Sequence, residues 1–346
     1  MTRDAENDEP TGKGMLMKTT LLAAVAATVV ASGAWAQDKV VFATNWLAQG
    51  GHGGFYQALA DGTYAKYGLD VEIQQGGPQV NNRPMLPAGK VDFLMAGNLL
   101  LSMDNVRNGI PTIVVASYFE KDPQVMLTHK GEYKSFDDLV NAPQILVSKD
   151  GQFSYWQWMV KAKGFKDEQL RPYGYNLAEY LTDKKMVQQG YGTAEPIYAK
   201  AEGADPEWFL LADNGWNTYS TTIEARVDMV ENNPDLVQRF IDASTIGWYN
   251  YMYNDNSLGN AAIIKDNPEQ TVEKLNEEVA QMKALGIIGT GYQAEVGIGA
   301  IDMARVQAFY DLAVESGILE AGSVDISKVA TDKFVNKKVG MDLLPK

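Results

Sequence analysis

Cysteine is absent from the 346 residues. That excludes disulfides, thiolate metal sites and a cysteine nucleophile, and it leaves nothing to mispair in an oxidising compartment. Histidine is almost as scarce. His52 and His129 are the whole supply, and without a His-Glu-x-x-His helix, an EF-hand loop or a Gly-x-Ser-x-Gly elbow the familiar metal and hydrolase sites drop out. Basic residues are outnumbered, 30 Lys and Arg against 44 Asp and Glu for a net charge of −14, so nucleic acid and anionic membrane surfaces are repelled. The run Gly50-Gly51-His52-Gly53-Gly54 lacks the Lys-Ser/Thr of a phosphate loop. We read it as a loop that lets backbone approach a ligand. The sequence thus implies no enzyme, no metal and no cofactor.

Long apolar stretches are also few. Residues 21–33, rich in Ala and Val, follow the short basic segment 15–18 and precede Ala34-Trp35-Ala36. The run is shorter than the roughly 20 apolar residues of a membrane span and reads instead as an export signal cleaved near Ala36/Gln37. Residues 1–36 are then a removed leader, with translation starting at Met1, Met15 or Met17. About 310 residues remain, more than one typical core needs, which predicts two domains.

What is present is an alternation of short apolar runs with helical patterns. Strands are expected at 40–44, 69–73, 91–96 and 112–117, with helices at 55–66 and 99–108 between them. A second series follows: strands at 144–148, 171–175, 186–191 and 208–211, and helices at 153–163, 177–184 and from Ala194-Glu195-Pro196. This is the signature of two mostly parallel sheets flanked by helices. From Asn233 onward the pattern is helical, with Pro234 at a first-turn position and Leu236, Val237, Phe240 and Ile241 on one face. Further helices are expected at 268–285, opening at Asn267-Pro268, and at 303–316. The expected division is 37–130 plus 225–346 for lobe one and 131–224 for lobe two.

The segment 45–73, NWLAQGGHGGFYQALADGTYAKYGLDVEI, combines a Trp after a strand, a His-x-Gly-x-Tyr helix start and a Gly-Leu-Asp-Val strand. With the later Asn-Pro-x-x-Val-x-x-Phe and Gly-Trp elements, it resembles the periplasmic solute-binding proteins of nitrate, sulfonate and thiamine-precursor (NitT/TauT-type) ABC importers over roughly residues 38–320. The resemblance implies a two-lobed type II periplasmic-binding-protein fold with extra C-terminal helices. It also implies a monomer that closes on a small solute in the periplasm and delivers it to a permease and its ATPase. Asn45 stands where the thiamine-precursor pattern has an acid, and Ala48 where proline is common. The expected solute is a pyrimidine-like or other nitrogen heterocycle, pyrimidines ahead of flavin-like rings, with sulfonate or nitrate second. A sensing partner of a membrane receptor and a thiamine-pyrimidine synthase-like enzyme are the other readings, the last disfavoured by the missing cysteine.

Ligands of open α/β sheets lie beyond the strand ends, where aromatic walls and a few polar groups converge. The expected site residues are therefore Asn45, Trp46, Asn98, Tyr118, Ser148, Tyr175 and Tyr191 from strand ends. His52, Phe55 and Tyr56 join them from one helix face. Gln152, Phe153, Ser154 and Tyr155 lie at a helix N-terminus whose free N–H groups accept a ligand atom, and Glu195 lies in the Ala-Glu-Pro turn.

Overall fold

The computed structural model describes residues 36–77, 80–174 and 176–345. Residues 1–35 of the proposed leader and Tyr175 lie outside them. Ten strands form two five-stranded sheets. The first contains β1 (Asp38–Ala43), β2 (Leu69–Gln74), β3 (Phe93–Asn98), β4 (Thr112–Phe119) and the late β10 (Ser220–Arg226), in the order β2-β1-β3-β10-β4. The second contains β5 (Gln124–His129), β6 (Ile145–Val147), β7 (Leu170–Pro172), β8 (Val187–Tyr191) and β9 (Pro206–Leu210), in the order β7-β6-β8-β5-β9. β1 is parallel to β2 and β3, and β6 to β7 and β8. β10 runs against both its neighbours, as β5 does. Each sheet is thus a mostly parallel one with a single reversed strand in the fourth place.

The reversed strands are where the chain crosses between lobes. β5 pairs in the second sheet and β10 in the first, so the sheets put the crossings at 120–123 and 215–219, a few residues ahead of the expected 130/131 and 224/225. Antiparallel pairing explains the difference, because it recruits into a sheet the strand that immediately follows each crossing. The same crossings are tied to the C-terminal helix Met303–Glu315. Arg305 pairs with Glu120 at 2.9 Å, donates to Asn217 Oδ1 at 3.0 Å and lies over the Tyr219 ring at 4.1 Å. Between the crossings the buried Asp122 accepts from Trp216 Nε1 at 3.2 Å.

Apolar runs became strands where they are covered on both faces, as in β5, buried at every position. The helix Pro234–Tyr253 starts at the expected proline and buries Val237, Phe240 and Ile241 against the first sheet. Phe240 stacks on Phe93 at 4.0 Å. Two helices differ from expectation. The stretch 55–66 is two helices, Gly53–Ala60 and Thr63–Lys66, separated at Gly62, whose φ of +76° breaks the run. The helix placed at 268–285 begins instead at Val272. Thr271 caps it by accepting from Lys274 N–H at 3.3 Å, while Asn267 ends the preceding helix Ser257–Asp266. One apolar core runs through both lobes. Trp216 carries it across a crossing, in contact with Trp158 of the second lobe and Phe309 of the helix Met303–Glu315.

Candidate functional site

A cavity of about 630 Å³ lies between the two sheets. It gathers Asn45 and Asn98 from the ends of β1 and β3, Ser148 from the end of β6, and Tyr191 from the end of β8. Trp46, His52, Gln152, Ser154, Tyr155 and Glu195 line it too. Four other expected residues do not. Phe55 is fully buried beneath the first sheet, edge-on to Phe42, Tyr118 and Trp248. Tyr56 is turned to Asp266, to which its hydroxyl donates at 3.1 Å. The expected shared face fails because His52 belongs to the 3-10 turn Gly50–His52, so the 100° step of the α-helix from Gly53 onward does not carry back to it. Tyr118 is buried against the helix Pro234–Tyr253, its hydroxyl donating to Ile241 O at 3.2 Å, and its neighbours Ser117 and Phe119 on β4 do not line the cavity either. Phe153 is exposed outside the cavity.

The glycine run also has another role. A Cβ on Gly53 would lie 2.0 Å from Tyr251, and on Gly54 2.2 Å from Trp248. These glycines let the helix Gly53–Ala60 pack against Pro234–Tyr253; of the run, Gly51 and His52 reach the cavity wall.

Sequence reasoning missed several lining residues, among them Gln49, Asn81, Gln124, Tyr173 and Gln189. Gln124 opens β5, and because β5 is antiparallel to β8 its first residue pairs with Tyr191, the last of β8. A search restricted to strand ends passes over it. Gln189 alternates with Gln188 on β8, and nothing in the sequence tells which glutamine faces out.

The polar groups of the wall have fixed roles. Gln49 N–H donates to His52 Nδ1 at 3.3 Å, which requires that nitrogen to be unprotonated and leaves Nε2–H as the donor. Burial pushes the His52 imidazole down to about 4, so the ring is neutral at ordinary pH. Ser148 caps the short helix Lys149–Gln152 by accepting from Gly151 N–H at 3.2 Å. Gln152 donates to Val147 O at 3.1 Å. Among the described residues the buried Oδ1 of Asn45 has no hydrogen-bond partner, a cost that a ligand donor would remove. Glu195 Oε2 accepts from Tyr191 N–H at 2.6 Å, and burial raises its carboxyl to about 7.

Behind the wall a second acid bridges the lobes. Glu278, fully buried on the helix Val272–Ala284, accepts from Gly50 N–H at 2.6 Å and from the hydroxyl of Tyr198 on the helix Glu195–Ala201. Burial, reinforced by the nearby Glu195, holds Glu278 up at about 8. Among the described residues no arginine lines the cavity, and its lysine, Lys149, is exposed. Among the described residues no group of acids and histidines is arranged to hold a metal ion, and no helix is long and apolar enough to cross a membrane.

Comparison with known proteins gives concordant results. The sequence profile described as NMT1/THI5 like matches residues 49–257. The riboflavin-binding protein RibY of Chloroflexus aurantiacus is 22% identical over 309 residues, 86% of each chain. The alkanesulfonate-binding protein SsuA from Xanthomonas axonopodis pv. citri superposes with a TM-score of 0.61 at 14% identity, over 86% of this chain and 99% of that one. The periplasmic nitrate-binding protein NrtA from Synechocystis PCC 6803 does so with a TM-score of 0.59 at 15% identity, over 90% and 91%. The two-lobed periplasmic-binding-protein fold is common to all of this set for which a structure is known.

Proposed function

We propose, from the premise that this chain belongs to the NMT1/THI5-like family, that it captures an uncharged nitrogen heterocycle between its lobes and delivers it to an ABC importer. The observation that carries this reading is the chemistry of the wall. The cavity is lined by carboxamides, phenols, an indole, a neutral imidazole and the Glu195 carboxyl held near neutrality, with the exposed Lys149 and Asp150 at its edge and no buried cation among the described residues. A permanent anion would meet Glu195 there with only the exposed, solvent-screened Lys149 as counter-charge, which disfavours sulfonate and nitrate. A volume of about 630 Å³ suits a drug-sized ligand rather than a four-atom ion. The name of the relative RibY favours a flavin-like ring over a lone pyrimidine.

The mechanism is closure about the two crossings, with Arg305 gripping both. Ligand favours the closed form because it contacts both lobes. Asn45, Trp46, His52 and Asn98 contribute from lobe one; Ser148, Tyr155, Tyr191 and Glu195 from lobe two. The protein acts as a monomer in the periplasm once its leader is removed.

The test is a thermal-shift screen of the mature protein with flavins, pyrimidines, purines, sulfonates and nitrate, followed by calorimetry. A bound heterocycle at 100 times its Kd adds about 2.7 kcal/mol of stability and raises the Tm by several degrees. Stabilisation by sulfonate or nitrate alone would overturn the choice of ligand. An unchanged radius of gyration in small-angle scattering at saturation would overturn closure.

A further inference from the structure

The carboxamide of Gln189 is locked in one orientation. Its Oε1 accepts from the Ser148 backbone N–H at 2.5 Å and from the Tyr155 hydroxyl at 2.6 Å. A backbone N–H can only donate, so the atom facing it must be the oxygen, and the Tyr155 hydroxyl must donate as well. Tyr155 reaches this position because residue 151 is glycine; a Cβ there would sit 2.3 Å from the phenol oxygen. With the oxygen doubly occupied, the NH₂ remains. Among the described residues it has no protein acceptor, and it is not sealed away from the cavity that Gln189 lines. Two neighbours are set in the same manner. Asn98 Oδ1 accepts from Leu100 N–H at 3.1 Å, which leaves its NH₂ free to donate. Gln124 Nε2 donates to Gly190 O at 3.0 Å, which leaves its oxygen to accept.

We propose that Gln189 is a specificity-determining residue that donates to a ring carbonyl of the ligand and rejects the heterocycle carrying an amino group in its place. The inference rests on the heterocycle reading above and sharpens it to a class, lactam- or imide-bearing rings. An amino group would set N–H against N–H in a buried wall, and the amide cannot turn over to accommodate it without opposing two donors. Such mismatches discriminate far more strongly than a misfit of one methylene.

The test is calorimetry at about pH 8 with uracil and cytosine and with their benzo-fused analogues, which differ only in the carbonyl or amino group and the adjoining ring proton. The wild-type protein should prefer the carbonyl member by about 10- to 100-fold. In Gln189→Glu one carboxylate oxygen still accepts from Ser148 and Tyr155, but the other turns an acceptor to the cavity, so the preference should reverse. Should that variant fail to fold by circular dichroism, Gln189→Met provides the test: carbonyl binding falls about tenfold while amino binding is unchanged. Equal losses for both members, or a preference untouched by either variant, would overturn the role of Gln189 alone. If neither member binds the wild-type protein, this inference falls, and the heterocycle reading falls with it when the flavins and purines of the screen above fail to bind as well.

Discussion

At the scale of the residue, Trp46 and His52 carry the clearest tests. Trp46 is half-buried in the cavity wall, and an aromatic face there stacks on a planar ring for about 0.5–1.5 kcal/mol beyond the area covered. Trp46→Ala should weaken binding by about 2–4 kcal/mol, on the order of 30- to 1,000-fold, with the ligand-free Tm within a few degrees of wild type. A large fall in Tm with binding preserved would make it a core residue. His52 answers a different question. An unperturbed imidazole would lose affinity below about pH 6, but burial holds this one at about 4. Calorimetry should therefore show a His52 contribution that is level from pH 8 to 5; a fall centred near pH 6 would mean that water reaches the ring. Ten of the fifteen expected residues line the cavity, and the failures have local causes. Tyr118 was lost to the helix Pro234–Tyr253, which takes its hydroxyl, and Phe55 to the 3-10 turn before its helix, which shifts the register of one residue. Sequence periodicity does not fix register that finely.

Elements were easier to read than their junctions. The helix Pro234–Tyr253 announces itself because proline, cap and apolar stripe agree, whereas Asn267-Pro268 offers the same start signal and belongs to a connection. The true cap, Thr271, was four residues further on. The two reversed strands were invisible for a related reason: direction within a sheet is set by partners far away in sequence. The helix Gly53–Ala60 gives the prediction at this scale. It lies so close to Pro234–Tyr253 that a methyl group on Gly54 would meet the Trp248 ring at 2.2 Å. Gly54→Ala should cost about 1–3 kcal/mol by overpacking, although alanine is the better helix former. Denaturant titration measures it, and a stabilised variant would contradict the packing described.

For the whole molecule, the buried carboxyls govern the response to pH. Glu278 is held at about 8, and Glu195 and Asp122 at about 7, chiefly by burial. Each has a folded-state pKa above its unfolded value, so its stabilising contribution is complete below about 4, is lost progressively as the pH rises from there, and is gone above the folded value, about 7 for Glu195 and Asp122 and about 8 for Glu278. His52, with a depressed value, acts oppositely but only below about 6.5, where the unfolded chain gains its proton. The Tm should thus fall between pH 6.5 and 8.5, and Glu278→Gln should flatten that slope, since glutamine can still accept from Gly50. A level Tm across the interval would refute the assignment. The placement of β10 between β3 and β4 has a further consequence, for biosynthesis. A ribosome delivers β3 and β4 about a hundred residues before the strand that joins them, whereas every strand of the second sheet arrives in one uninterrupted stretch. The second lobe can therefore be finished while the first still exposes two unpaired edges, and such edges seek other chains. Holding the nascent protein unfolded until β10 has emerged would protect it, which is the condition that passage through a membrane channel imposes.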